Sequence, residues 1–175
     1  MKKVLVVVDY QKDFVSGSLG FHKAAGLEKA ILHKIEQYKK NGDAVVFTFD
    51  THYDNYLETR EGKNLPVPHC IKNSDGWNLY GGVAGHCDET TRTFEKPAFG
   101  SMELAGYLAE EGYGLVELVG VVSNICVISN AVLAKAALPE AEIIVDAACT
   151  ASNDESLNEK ALDVMSGMQI KVINR

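Results

Sequence analysis

GLVELVGVVSNICVISNAVLAKAAL, residues 114–138, decides the fold. Its opening run, GLVELVGV (114–121), is apolar almost without interruption, as a strand buried on both faces requires. NICVISNAVLAKAAL (124–138) then reads as a helix, so strand passes into helix within a few residues. The same alternation extends outward in both directions. Upstream, VLVVVD (4–9) and AVVFTFD (44–50) read as strands. Between them LEKAILHKIEQYKKNG (27–42) puts Leu27, Ile31, Ile35 and Tyr38 on one helical face before a glycine stop. TRTFEK (91–96) is a further strand, followed by a helix around SMELAGYLAEEG (101–112). Downstream come the strand EIIVDA (142–147), a helix across ESLNEKALDVMSG (155–167) and the strand QIKVIN (169–174). Six strands with crossover helices predict an α/β fold: a three-layer α/β/α arrangement around a mostly parallel six-stranded, Rossmann-like sheet. One domain over 1–175 is expected. Its periodicity fails only in an irregular insertion at about 51–90, too long for an idle connection.

Composition bounds the partners. The chain has 175 residues, 46% of them hydrophobic and 23% charged, which suits a globular domain with a real core. A net charge of -7 and a pI near 5.2 argue against nucleic acid or an anionic membrane as partner. MKKVLVVVDYQKDF is broken by Asp9 and lacks a small-residue cleavage site, so no secretory signal is read there. No run reaches the ~18 apolar residues of a membrane span. A cytoplasmic protein is expected, assembled as a homo-oligomer. Cys70, Cys87, Cys126 and Cys149 show no C-x-x-C spacing and are expected to be free thiols.

Three of the strands close on chemically active residues: Asp9, Lys96 and Cys126. In a parallel sheet the carboxyl ends share one edge, where open α/β folds bind ligands. An acid, a cation and a thiol would meet there. Cys126 would sit at a helix start, where unpaired N–H groups and the helix dipole favour a thiolate and can hold an oxyanion; most free cysteines are small buried hydrophobes instead. Asp9 follows five apolar residues and would be costly to bury without a partner, although a turn former is the plainer role. The second strand ends in FDTH, where Asp50 and His52 point to the same side of an extended chain. With His69 in LPVPHC they form a set able to hold a divalent cation, and Glu58 and Glu61 are either further ligands or a solvated face. Trp77 either packs the insertion or covers a ring. VSGSLG matches no dinucleotide or phosphate-loop pattern, so no nucleotide cofactor is read.

VDYQKDF with Asp9, FEKPAFGS with Lys96 and VGVVSNICV with Cys126 resemble the three blocks of the isochorismatase-like cysteine hydrolases. FDTH and PVPHC resemble the metal-binding segments of the nicotinamidase branch. The resemblance runs nearly end to end and implies a cysteine amidohydrolase that releases ammonia from a small amide, most simply nicotinamide, through a thioester. Asp9 would take the thiol proton, Lys96 would stabilise the charged pair, and the N–H groups of Val122 and Cys126 would form the oxyanion hole beside a cis peptide joining Val121 to Val122. Asp50, His52 and His69 would hold a divalent metal, with Zn2+ first and Mn2+, Fe2+ or Mg2+ as the other choices. The branch's usual further histidine is missing between His52 and His69, so Glu61, or failing it Glu58, would take its place. Phe14 and Phe99 would sandwich the substrate ring. The alternatives are a metal-free ureido or carbamoyl amidase of the same family and a non-enzymatic thiol redox sensor; the acid and the lysine favour an enzyme.

Overall fold

The computed structural model describes residues Met1–Arg175. In chain order the elements are β1 Lys3–Val8, α1 Lys12–Val15, α2 His22–Gly26, α3 Glu28–Lys40, β2 Ala44–Asp50, α4 Arg60–Asn64, β3 Thr93–Lys96, α5 Met102–Glu111, β4 Leu115–Val121, α6 Ile128–Ala137, β5 Glu142–Ala151, α7 Glu155–Gly167 and β6 Lys171–Ile173. The six strands lie in the order β3-β2-β1-β4-β5-β6, and every pairing is parallel. The expected mostly parallel six-stranded sheet is parallel throughout.

Alternation along β1 shows how the sheet is covered twice. Val4, Val6 and Val8 join Leu104, Leu108, Ala131, Leu162 and Met165 in the core beneath α5, α6 and α7. Leu5 and Val7 face the other way, into a second core with Ile31, Ile35 and Tyr38 of α3. Such period-two division lets a strand of one residue type serve two helical layers. Helix ends follow the local chemistry. Ser101 and Asp154 cap α5 and α7 by accepting from the N–H groups of Leu104 and Leu157 at 3.1 and 3.0 Å, and α5 stops at Gly112 in left-handed geometry.

The structure departs from the sequence reading in several places. The helix expected from Asn124 opens with a π turn, Ser123–Val127, before α6 begins. β5 runs on to Ala151 rather than stopping at Ala147, because its register against β4 slips between Leu118 and Gly120 and then resumes at Thr150. The last strand shortens, since Gln169 and Ile170 turn back to bond Ser166 and Met165 at the end of α7. The insertion is ordered: besides α4 it holds 3-10 turns at Tyr56–Glu58 and Gly81–His86 and is pinned by the bridges Gln11↔Leu79 and His52↔Ile71. Trp77 packs it down, stacking on Phe49 at 4.9 Å and donating from Nε1 to Thr51 Oγ1 at 2.9 Å.

A charged cluster is set into the α3 layer, with Glu117 and Asp146 buried and Lys34 partly buried. Lys34 Nζ lies 2.7 Å from Glu117 Oε1 and 2.8 Å from Asp146 Oδ2, and Tyr38 donates to Glu117 Oε2 at 2.7 Å. Burial works against the Lys34 charge, but its bonds to Asp146 and Glu117 outweigh that, and its pKa is pushed up to about 12 from 10.5. The native state thus prefers the charged lysine. Its contribution, at most about 2 kcal/mol and less as solvent screens the partly exposed lysine, is complete below pH 10.5 and disappears as pH rises through about 12. Lys34→Met should accordingly be destabilised at neutral pH and lose less stability than the parent across that alkaline window, as measured by denaturant melts at each pH.

Candidate active site

The order of the strands makes β1 and β4 neighbours at the point where the winding of the sheet reverses, and a crevice opens outside the carboxyl ends at such a point. Asp9 follows β1 and Cys126 follows β4, so the two flank the crevice. β1 leaves the sheet abruptly, because Asp9 has a φ of 45°. This left-handed turn costs a non-glycine residue roughly 1 kcal/mol. Beside it Gly120, at φ 109°, lets β4 pass: a Cβ there would stand 2.1 Å from the carbonyl oxygen of Val8.

Lys96 is the hub of the charged cluster. Its Nζ lies 2.6 Å from Asp9 Oδ2, 3.4 Å from Asp50 Oδ1 and 3.5 Å from Cys126 Sγ, and donates to Ala98 O at 3.0 Å. Thr48 donates to Asp9 Oδ1 at 2.6 Å. Lys96 is only 1% exposed and Asp9 not at all. Burial pushes the Asp9 carboxyl up even though Lys96 pulls it down. Burial lowers the Lys96 pKa less than Asp9, Cys126 and Asp50 raise it, so the ammonium is firmly charged. The Cys126 thiol is held well above its usual range, by burial first and then by the Asp9 charge, with Lys96 opposing. The helix start and Lys96 favour a thiolate, but burial and the Asp9 charge outweigh them, so the group rests as a thiol that needs a base. At 4% exposure the sulfur gains less from the lysine and the helix start than it loses by leaving water.

The second cluster also assembles. Asp50, His52, Glu61 and His69 each bring one donor atom within 4.8 Å of all the others. Asp50 Oδ2 is 3.1 Å from His52 Nε2 and 3.3 Å from His69 Nε2, while Glu61 Oε1 is 3.7 and 3.6 Å from the same nitrogens. Donors about 2.0–2.1 Å from a tetrahedral ion are separated by about 3.4 Å, so this spacing fits Zn2+ or a similar cation. The Nδ1 of His69 lies 2.8 Å from the carbonyl of Val67, which as an N–H donor leaves Nε2 with its lone pair toward the other ligands. Burial would raise the Asp50 pKa, but His52, His69 and Lys96 hold it below the usual carboxylate range. Glu61 is pushed up by burial and by Asp50, a repulsion that a divalent cation between the two would remove. Glu58 is exposed and outside the group.

A cavity of about 250 Å³ joins both clusters, lined by Phe14, Phe99, Val122 and Cys126 and reaching Asp50, Glu61 and His69. Phe14 is buried against His69, with ring centroids 5.5 Å apart, and Phe99 stands at the rim, 46% exposed. The Val121–Val122 peptide is cis, as the resemblance implies. Trp77 does not line this cavity. Several contributors escaped the sequence reading. Tyr56 packs on His52 and His69 at 4.7 and 5.1 Å, and Leu19, Phe21, Leu65, Ile125 and Asn153 complete the wall. Asn130 donates to Cys126 O and Phe99 O at 2.8 and 3.1 Å, tying the thiol segment to the rim. Nothing in the spacing of these residues marks them, because most come from turns and loops whose paths the sequence does not reveal, and Asn130 is a buried polar residue on α6.

Comparison with known proteins agrees with this arrangement. A family model described as the Isochorismatase domain matches residues 3–175, and the chain belongs to that family. An uncharacterized isochorismatase family protein of Bacillus subtilis (strain 168), PncA, is 34% identical over 143 residues, covering 75% of this chain and 78% of the relative. Nicotinamidase PncA from Bacillus subtilis, a solved structure, has a TM-score of 0.87 at 27% identity, over 98% of this chain and 99% of that one. The pyrazinamidase of Pyrococcus horikoshii, solved in complex with zinc, has a TM-score of 0.86 at 25% identity over 100% of both chains. No helix is long and apolar enough to cross a membrane.

Proposed function

We propose that the protein is a cysteine amidohydrolase that converts a small aromatic amide, nicotinamide first among them, to its carboxylic acid and ammonia. The observation that carries this reading is one cavity that exposes Cys126 together with the metal-type donors Asp50, Glu61 and His69 between Phe14 and Phe99, with the Asp9–Lys96 pair buried behind the sulfur. Nicotinamidase and pyrazinamidase relatives support it.

Asp9 takes the proton from Cys126 as the sulfur attacks the amide carbon, and Lys96 balances the charge left on sulfur. The carbonyl oxygen takes up the negative charge against the N–H groups of Val122 and Cys126, an interaction that strengthens as the tetrahedral carbon forms. Asp9 then returns the proton to the departing nitrogen, the C–N bond breaks, and a thioester to Cys126 remains. Water attacks that thioester, again with Asp9 as base, and releases the acid and the thiol. Phe14 and Phe99 hold the ring. Asp50, His52, Glu61 and His69 would hold a divalent cation, which supplies a Lewis acid for a ring nitrogen. Proton exchange between Asp9 and Cys126 keeps the net charge of the cluster constant, so the transfer avoids creating a further charge in a site where burial already raises both groups.

Ammonia release measured across nicotinamide, pyrazinamide and ureido compounds, with and without a strong chelator, tests the reading. Stripping the metal, or His52→Ala, should lower kcat/KM for nicotinamide by about 100-fold through lost orientation. Alkylation of Cys126 by iodoacetamide should continue in the stripped protein. Undiminished nicotinamide turnover in chelator would move the assignment to a metal-free amidase, and turnover of ureido compounds alone would do the same.

A further inference from the structure

VDYQKDF gives Asp9 and Phe14 to the site and leaves Gln11 and Asp13 unexplained. Gln11 is fully buried. Val8 pairs with Thr48, so an unbroken β1 would set its next rung opposite Asp50, but the chain turns away at Asp9. The Gln11 side chain makes that rung instead. Its Nε2 donates to Asp50 O at 3.0 Å and its Oε1 accepts from Asp50 N–H at 2.8 Å. The second Nε2 hydrogen goes to Trp77 O at 2.8 Å, which anchors the insertion to the same point. A parallel strand end is thus clamped by an amide that supplies both a donor and an acceptor, as a neighbouring strand would.

Asp13 makes the corresponding bond on the opposite flank. Its Oδ2 accepts from Cys70 N–H at 2.8 Å. Cys70 follows His69, has a φ of 45°, and accepts from His52 N–H at 3.0 Å through its own carbonyl. One carboxylate therefore fixes the segment that carries His69 and pairs with His52. The Asp13 carboxylate fills the space beside Gly76, where a Cβ would lie 2.1 Å from Oδ2 and exclude it. Neither residue reaches the donor atoms. Both act on main chain next to them.

We infer that Gln11 and Asp13 are positioning residues for the donor set of Asp50, His52, Glu61 and His69, holding its main chain at ligand spacing before a cation binds. The inference rests on the metal reading given above. Its test is titration of Zn2+ and Co2+ into the chelator-stripped full chain and into Gln11→Met, Asp13→Ala and Asp13→Asn, following affinity and the Co2+ d–d absorption. Gln11→Met and Asp13→Ala should bind on the order of 10- to 100-fold more weakly, with a weakened and shifted Co2+ band. Near-ultraviolet circular dichroism of the metal-free variants should match the parent. Asp13→Asn keeps an acceptor for Cys70 N–H and should restore parental affinity. Unchanged affinity and spectrum in Gln11→Met and Asp13→Ala would overturn the inference. So would loss of tertiary dichroism in both metal-free variants, which marks general supports of the fold, or a failure of Asp13→Asn to restore binding. A parent chain that binds neither ion would sink the metal reading itself, a result separable from all of these.

Discussion

Cys126→Ala should lower turnover of nicotinamide by about five orders of magnitude and leave the fold in place. The cavity wall otherwise offers Asp50, Glu61 and His69, which face one another as donors, together with Asn153 and apolar side chains. None of these is a nucleophile free to replace the sulfur. The structural cost is small, because alanine deletes one atom from a site that already opens into a cavity, about 1 kcal/mol by analogy with loss of a buried methyl. Cys126→Ser should be nearly as inactive. A hydroxyl in the same place is harder to ionise than a thiol, and burial and Asp9 already oppose charge on this atom. Ammonia release and thermal melting, measured on the same preparations, separate chemistry from folding. An alanine variant within about tenfold of the parent, or 1.4 kcal/mol in barrier, would remove Cys126 from the mechanism.

Periodicity was enough to read the sheet and its two layers, because buried parallel strands have to be apolar on both faces and α3 has to show one stripe. It could also read which residues end strands, and therefore that Asp9, Asp50, Lys96 and Cys126 would share an edge. Strand order was not legible. Nothing local in VLVVVD says that β1 lies between β2 and β4, yet that neighbourhood puts Asp9 beside Cys126. The resemblance already put Glu61 before Glu58, but the reason lies in the turn at Tyr56–Glu58 followed by α4, which sends Glu61 inward and Glu58 to solvent. How strongly the thiol is held protonated was not legible, because a helix start is a local signal, whereas desolvation and the Asp9 charge are set by the whole fold. Gln11 and Asp13 were overlooked because they bond main chain, and main-chain partners leave no pattern in side-chain spacing.

Asp9→Asn should abolish turnover and at the same time make Cys126 more acidic, two effects that pull apart only if Asp9 is the proton carrier. In the parent, Lys96 stands 2.6 Å from Asp9 and 3.5 Å from the sulfur. The Asp9 charge raises the thiol pKa and the Lys96 charge lowers it. Asparagine removes the first influence and keeps the second, so the pH midpoint for alkylation by iodoacetamide should move down and the rate at neutral pH should rise. Turnover should nevertheless fall on the order of ten-thousand-fold, because no group remains to protonate the departing nitrogen. Lys96→Met should behave in the opposite sense toward the reagent, with a thiol midpoint above the parent's and slower alkylation. Adding Asp9→Asn to Cys126→Ala should cost little more than Cys126→Ala alone, since residues that work as one unit give strongly non-additive losses. A thiol midpoint that rises in Asp9→Asn, or turnover losses that multiply, would assign Asp9 to holding Lys96 in place rather than to carrying the proton.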